Sequence, residues 1–218
     1  MTSEIFVEAL AAYVPENEGD VPPLAYLPSL FKRRLSQMTK MTIEAVHDLL
    51  EAVPETDKAH TKMVFGSYRG ELSYAFKVNN QYAEDYTVMP ATFTLSVHNA
   101  AIAEATIAFG LTGGYATVFP AEGDFHSALQ AAAAPVLSGD EKQVIFAFGD
   151  EHIPAPYREV PLAGSSSQDK PAFAFAALLR SKDGAPTGAS TADRQQAKAL
   201  DIQAFKGKSA MDFMQAYR

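Results

Sequence analysis

The 218-residue sequence contains no cysteine, and this absence excludes disulfide bonds, cysteine-ligated zinc sites and thiol catalysis. Basic residues are also few, since 18 Lys and Arg stand against 26 Asp and Glu, a formal net charge of −8 at pH 7. The one short basic cluster, at residues 32–34, is typical of a solvated helix start. An acidic chain without a strong basic patch predicts that nucleic acid is not a partner.

Long apolar runs are missing as well. None reaches the roughly 18 to 20 residues that a transmembrane helix needs, so we expect no membrane span. The first 15 residues carry glutamates and lack the basic region and long apolar stretch of a secretory signal. We therefore expect a cytoplasmic protein. With 47% hydrophobic residues, the chain can bury a sizeable core.

Apolar runs alternate with segments of helical periodicity along most of the chain. Five strands are predicted, at residues 5–13, 61–67, 115–119, 144–148 and 172–179. Helices are predicted at residues 31–53, 71–86, 93–111, 124–136 and 210–217. This alternation predicts an α/β fold in which a mixed five-stranded sheet carries helices on both faces.

Motifs of several common enzyme classes are missing. The string nearest to a G-x-S-x-G nucleophile elbow, at residues 66–70, has Tyr68 in its central position. The sequence has no P-loop and no G-x-G-x-x-G string after a strand. The five histidines are scattered, and Glu122, Asp124 and His126 straddle a predicted helix start, where they cannot easily converge on one ion. We therefore expect no metal site.

Two short polar groups lie in unusual places. Asp150, Glu151 and His152 directly follow a predicted strand, where α/β sheets often place functional groups, although a polar exit from the strand is the simpler explanation. The Ser-Val-His-Asn string at residues 96–99 falls inside a predicted apolar helix. Buried polar side chains need partners, so this string predicts either a hydrogen-bonded core or interface cluster, or an active-site cluster.

The chain is organised around residues 92–137, which predict an alanine-rich helix, a glycine turn, a β-branched strand, a sharp corner and a second helix. This order is marked by Pro90, Asn99, Gly110-Leu111-Thr112-Gly113, Ala116-Thr117-Val118, Ala121-Glu122 and Ala128-Leu129. It resembles the β-ketoacyl synthase family of the thiolase fold, which carries a nucleophilic cysteine at that corner. By spacing, the nucleophile position falls on Glu122.

A more specific resemblance is to the ketosynthase-like chain-length-factor proteins of bacterial aryl polyene and related type II lipid (fatty-acid-like) clusters. It covers roughly residues 5–180, and the 96–99 string is its most distinctive part. The residues that carry it are Pro28, Arg33-Arg34, Ser36, Phe65-Gly66-Ser67, Gly70-Glu71, the string at 93–100, Asp150 and Pro154.

The resemblance implies a thiolase-like half-domain at residues 1–181, followed by a C-terminal loop and short helices at residues 182–218. It implies no independent condensation, because a thiolate is needed to take the acyl chain and Glu122 does not replace it. A carboxylate at this helix start would instead interact favourably with the helix dipole. No cofactor is implied.

The implied partner is a catalytic β-ketoacyl synthase, with which the chain would form a heterodimer. Acyl carrier protein would be contacted indirectly, through that partner. The resemblance also implies a site that belongs to the partner interface and forms part of the wall of the acyl tunnel. Bulky side chains there would limit the length of the acyl chain. Its candidate residues are Phe93, Ser96, His98, Asn99, Ile107, Phe109 and Phe119.

Two alternatives stay open at the level of sequence. The chain could be a small independent acyl hydrolase or decarboxylase that uses Glu122, His98 or His126, since a carboxylate at the corner can act as a base. It could also be a homodimeric protein that holds an acyl chain or a carrier protein without chemistry.

Overall fold

A computed structural model describes residues 4–158, 171–182 and 197–218. Its strands are β1 (Ile5–Tyr13), β2 (Lys62–Gly66), β3 (Tyr115–Val118), β4 (Gln143–Asp150), β5 (Phe173–Ser181) and β6 (Lys198–Ala199). They form one mixed sheet in the order β3-β2-β4-β5-β1-β6. Strands β3, β2 and β4 are parallel, whereas β5, β1 and β6 join by antiparallel pairing. The predicted mixed α/β sheet is confirmed.

The helices are α1 (Ser29–Lys32), α2 (Gln37–Ala52), α3 (Leu72–Asp85), α4 (Pro90–Phe93), α5 (Ala100–Phe109), α6 (Phe125–Ser138), α7 (Ala155–Arg158) and α8 (Ala210–Tyr217), with a 3₁₀ helix at Ile202–Phe205. Helices α2 and α5 contribute to the apolar cluster on one face of the sheet. Helices α6 and α8 contribute to the cluster on the other face. The sheet is therefore covered on both faces, as predicted.

The prediction of five strands was one too few. The sixth strand, β6, has only two residues, which pair with Phe6 and Val7 of β1. A strand of two residues is too short to show the alternation by which strands are identified in a sequence. The loop predicted at the start of residues 182–218 lies largely outside the described residues.

Two predicted helices are shorter than their apolar periodicity indicated. The helix predicted at residues 31–53 is divided, because Ser36 begins α2 by accepting a hydrogen bond at its hydroxyl from the Thr39 amide at 2.9 Å. The helix predicted at residues 93–111 is also wrong in its first part. There the Ser96 hydroxyl donates to the Phe93 carbonyl at 2.9 Å, and such local bonds compete with a continuous helix.

The centre of the sheet is buried on both sides. All of Val144 to Asp150 in β4 and Phe173 to Arg180 in β5 are buried, which explains why these segments appear in the sequence as continuous apolar runs. On the α6 face, six phenylalanine rings pack together: Phe125, Phe146, Phe148, Phe175, Phe205 and Phe213. Two of them, Phe205 and Phe213, come from the C-terminal segment, which is therefore part of the core.

The β3 end of the sheet is much less covered. Among the described residues, β3 pairs only with β2, and none of the 14 residues of α3, the helix that follows β2 in the chain, is buried. Seven large apolar side chains are exposed between residues 82 and 115, and we call them the exposed apolar surface: Tyr82, Tyr86, Val88, Met89, Phe93, Ile107 and Tyr115.

Candidate functional site

Three loops meet where the parallel strands end. Residues 67–70 follow β2, residues 119–124 follow β3, and residues 151–154 follow β4. The carboxyl ends of parallel strands lie at the same edge of a sheet, which is where α/β proteins bind ligands. The corner predicted from the sequence is thus one of three loops that together form a candidate site.

Glu122 lies in the turn between β3 and α6, as the sequence predicted. The turn is possible because Gly123 adopts a positive φ of 86°, and Asp124 then begins α6 by accepting a hydrogen bond from the Ser127 amide at 3.2 Å. The carboxylate of Glu122 lies 3.8 Å from the guanidinium of Arg69. Glu122 is therefore an ion-pair partner at the corner, held next to a helix start.

Arg69 links the corner to the end of β4. Its side chain is 9% exposed, and its Nε lies 3.8 Å from the fully buried carboxylate of Asp150. Asp150 also accepts hydrogen bonds from the Ser67 hydroxyl at 2.9 Å and from the Arg69 amide at 3.1 Å. Burial raises the pKa of Asp150, and the charge of Arg69 and these hydrogen bonds oppose the rise.

Arg69 carries no signal in the sequence that marks it as a site residue. No local pattern distinguishes it from a surface arginine, because its two carboxylate partners, Glu122 and Asp150, are 53 and 81 residues away along the chain. The available signal was indirect: an acidic residue follows each of two predicted strands, and buried or half-buried carboxylates need a cation or several donors.

The Ser-Val-His-Asn string is divided between local and long-range contacts. Ser96 bonds to the neighbouring Phe93 carbonyl, whereas the Asn99 amide donates to the Tyr115 hydroxyl at 2.9 Å. The His98 ring lies 4.2 Å from the Phe119 ring. It also covers Gly70, where an added Cβ would come within 2.7 Å of the imidazole. The structure thus brings His98 and Phe119 over Gly70 at the site, whereas Asn99 contacts the first residue of β3.

The other predicted interface and tunnel residues are not all in this cluster. Phe93 and Ile107 are 53% and 67% exposed, so they belong to the exposed apolar surface. Phe109 instead packs against the core under α2, with its ring 6.2 Å from Tyr26 and 6.1 Å from His47. The candidate residues therefore separate into a cluster at the corner, an exposed group and one core residue.

A cavity of about 230 Å³ opens beside the corner. It lies between the three strand ends and the start of α8. Most of the surface that faces the cavity is formed by apolar atoms, although some of the lining residues are polar or charged. The lining residues are Tyr68, Arg69, Gly123, Asp150, Pro171, Phe173, Ser209, Ala210 and Met211. Burial raises the pKa of Tyr68, and the nearby carboxylates of Asp150, Asp124 and Glu122 raise it further. Tyr68 is therefore a neutral phenol at physiological pH.

The chemistry available at the corner is limited. The chain has no thiol, and the carboxylate at the expected nucleophile position is paired with Arg69. Within the described residues, no group of three or more His, Asp or Glu side chains is arranged to hold a metal ion. In the same part of the chain, no helix is both long and apolar enough to cross a bilayer.

Comparison with known proteins identifies a family. The family model described as "Beta-ketoacyl synthase, N-terminal domain" matches residues 8–217, nearly the whole chain. No curated protein sequence matches the chain.

Solved structures show the same fold. A chain from the complex of the ketosynthase ApeO with its chain length factor ApeC, from Xenorhabdus doucetiae, is 21% identical with a TM-score of 0.64. The match covers 83% of this chain and 79% of that one. The ishigamide ketosynthase/chain length factor is 15% identical with a TM-score of 0.67, over 84% of this chain and 63% of that one.

A third solved structure, AntDE:AntF, contains a type II polyketide acyl carrier protein in complex with its ketosynthase. Its matching chain is 14% identical with a TM-score of 0.66, over 84% of this chain and 65% of that one. The chain thus spans less than two thirds of the length of the second and third of these relatives. At these identities, the likeness shows the thiolase-like fold.

Proposed function

Since this chain belongs to the β-ketoacyl synthase family, we propose that it is a non-catalytic subunit of the chain-length-factor type, which pairs with a catalytic ketosynthase in acyl-chain elongation. The observation that carries the proposal is the corner before α6. It has the family's strand, turn and helix, but Glu122 occupies the expected nucleophile position and is paired with Arg69. A carboxylate held by a guanidinium cannot take up an acyl chain as a thioester.

The proposed partner surface is the β3 end of the sheet. An edge strand with unpaired backbone groups, next to exposed apolar side chains, favours association with another chain. Ile107, on the helix α5 that contacts β3, is 67% exposed, and Tyr115 lies on the edge strand itself. A ketosynthase that covered this surface would supply the cysteine and histidine that the condensation requires.

The proposed tunnel wall is the ring pair of His98 and Phe119, which lies over Gly70 next to the corner. Phe93 and Ile107 remain candidates where the partner would cover them. Phe109 is a weaker candidate, because it already packs against the core. The proposal assigns the product to polyene or fatty-acyl chains made in the cytoplasm, with the carrier protein docking on the partner, since this chain and carrier proteins are both acidic.

The proposal is tested by reconstitution with a ketosynthase encoded beside this chain. We expect the purified pair to elongate an acyl chain on carrier protein, and the isolated chain to show no turnover. Replacing Phe119 by Ala should shift the product to longer chains, whereas Glu122→Ala should leave the rate of condensation unchanged. If the ketosynthase makes the same product at the same rate without this chain, the proposal is wrong.

A second candidate function has one observation in its favour. The apolar cavity of about 230 Å³ beside Gly123 has room for part of an acyl chain, so the chain could hold an acyl group without a catalytic partner. This alternative predicts a homodimer or monomer that binds a fatty acid in isolation. The reconstitution assay also tests whether the chain is an independent hydrolase. Such an enzyme would turn over acyl substrates alone and lose that activity in Glu122→Gln.

A further inference from the structure

Lysine and arginine are absent from the part of the sequence that carries the exposed apolar surface. No Lys or Arg occurs between Lys77 and Lys142, although these two residue types make up 18 of the 218 residues. Residues 78–141, 64 in all, contain seven Asp and Glu. Every side chain of the exposed apolar surface falls within this range. The surface is therefore built from a stretch of chain that contributes acidic groups and no basic side chain.

Five of these seven acidic side chains have partners within the chain. Three form ion pairs with an arginine or a lysine, and two accept hydrogen bonds from nearby serines: Glu104, Glu122 and Glu141, then Asp124 and Asp140. The other two, Glu84 and Asp85, are exposed, and neither side chain makes an ion pair or a hydrogen bond in the part of the chain that the structure describes. Their charges are available to another molecule.

The end of α3 holds three residues that are unfavourable for an isolated helix. Glu84 and Asp85 are its last two residues, where the negative end of the helix dipole favours cations and disfavours carboxylates. Tyr86 follows with a left-handed φ of 55°, a conformation that glycine adopts at much lower cost. Its side chain is 80% exposed, so no burial offsets this cost. Residues that lower stability without a contact in return indicate a role outside the fold.

The residues after Gln81 form a continuous exposed segment. All ten residues at positions 82–91 are exposed, and we call them the acidic apolar segment. Local contacts shape it, since the Met89 amide donates to the Gln81 side-chain oxygen at 3.1 Å and the rings of Tyr82 and Tyr86 lie 6.0 Å apart. Its large apolar side chains are Tyr82, Tyr86, Val88 and Met89. Apolar side chains and two unpaired carboxylates thus share one short surface.

The charge of this segment restricts what can cover it. Two copies of this chain that met through the segment would bring four carboxylates into one contact, two from each copy, with no cation from either segment. Like charges brought together in this way weaken association. A face with Lys or Arg around an apolar centre would instead pair with Glu84 and Asp85 while it covers the tyrosines.

We propose that the acidic apolar segment docks on a different protein chain, at an apolar face bordered by Lys and Arg side chains. The inference rests on the proposed function, since we take that chain to be the catalytic ketosynthase, and it adds the charge of the face that the ketosynthase presents. Glu84 and Asp85 have no part in chemistry. They speed the encounter and fix the orientation of the partner, because opposite charges steer association.

The test is the rate of association of this chain with the ketosynthase encoded beside it, measured by stopped flow at about 50 and about 500 mM NaCl. We expect the association rate constant of the wild type to fall about tenfold between these concentrations. Glu84→Lys should lower it about fivefold at the lower concentration. The matched control is Glu16→Lys, the same change of charge at an exposed glutamate after β1, which should lower it less than about twofold.

The unfolding temperature of the isolated chain separates docking from folding in the same variants. Glu84→Lys should not lower it, because a cation is favourable at the end of a helix. Tyr86→Gly should not lower it either, because glycine adopts the left-handed conformation without strain. A marked fall in both variants would mean that this end of α3 serves the stability of the fold, and would overturn the proposal.

The binding results separate this inference from the proposed function. A complex whose association rate responds neither to salt nor to Glu84→Lys would overturn the inference and leave the proposed function standing. Equal effects of Glu84→Lys and Glu16→Lys would also overturn it, because only the net charge would then matter. A homodimer of the isolated chain that Glu84→Lys strengthens would assign the segment to a second copy and overturn it too. A ketosynthase that does not bind at all would overturn both.

Discussion

The centre of the sheet and its β3 end differ in how far the chain's own residues cover them. Between β4 and β5 the sheet is buried on both sides, and the C-terminal segment adds the rings of Phe205 and Phe213 to the phenylalanine cluster. At the β3 end, α3 buries no residue, and Ile107 and Tyr115 are exposed. The difference indicates that the chain has its own stable core and one edge that favours association.

The contrast bears on how this thiolase-like fold covers the two faces of its sheet. A sheet must bury both faces, and a helix such as α6, with six buried residues, needs a layer over it. Here Ile202–Phe205 and α8 provide that layer with the chain's own residues. No comparable segment covers the β3 end within the described residues, which is where we propose that the partner binds.

The largest effect is expected in the phenylalanine cluster. Phe213→Ala should lower the free energy of unfolding by about 3–5 kcal/mol, because the ring is fully buried and lies 5.2 to 5.5 Å from Phe205, Phe175 and Phe125. Phe93→Ala, at a side chain that is 53% exposed, should cost less than about 0.5 kcal/mol. Urea unfolding measures both, and equal losses would remove the contrast between the buried core and the exposed apolar surface.

A somewhat smaller loss is expected at the end of β4. Asp150→Ala should lower the free energy of unfolding by about 3 kcal/mol, because Arg69 keeps its buried charge and loses its fully buried partner. Thermal unfolding at pH 7 checks this, with Asp48→Ala on the exposed side of α2 as the control. A loss under about 1 kcal/mol for Asp150→Ala would mean that Arg69 relies on Glu122 instead.

At the β3 end, a substitution should affect association and leave the fold intact. Ile107→Asp should weaken binding to the ketosynthase by at least about tenfold, because a charge would be buried in an apolar contact. The unfolding temperature of the isolated chain should not change, since Ile107 is 67% exposed. Leu137→Asp, on α6 at the opposite face, is the matched control, and similar binding losses in both variants would contradict the proposed surface.

The smallest effect is expected at the corner. Glu122→Ala should change the free energy of unfolding by less than about 1 kcal/mol, because its 3.8 Å pair with Arg69 is partly open to solvent. Urea unfolding at low and moderate salt checks this, and the difference should shrink further with salt. A loss as large as that of Asp150→Ala would mean that the stability of the fold depends on Glu122 as much as on Asp150, which would contradict this expectation.

The elements with strong local signals could be predicted from the sequence. The apolar runs of β4 and β5 and the periodicity of α6 and α8 identified these elements to within a few residues. Predictions were wrong where side chains redirected the backbone. Ser36 begins a new helix inside an apolar run, and the bond from Ser96 to Phe93 interrupts another.

The site could be predicted only in part, for a physical reason. Glu122 at the corner follows from chain order, because a strand, a turn and a helix are consecutive. Arg69, Glu71 and Glu151 depend on contacts between residues about 30 to 80 positions apart, and no local spacing encodes such contacts. The burial of these groups follows from tertiary packing, which periodicity does not specify.

The most direct test of the account is the mass in solution of this chain, alone and after co-expression with a ketosynthase encoded beside it. We predict a one-to-one heterodimer in the co-expressed sample, which Ile107→Asp dissociates and Leu137→Asp leaves intact. A stable homodimer that does not exchange with the ketosynthase, or two proteins that elute separately at their own masses, would contradict the proposal that the uncovered β3 end is completed by a catalytic partner.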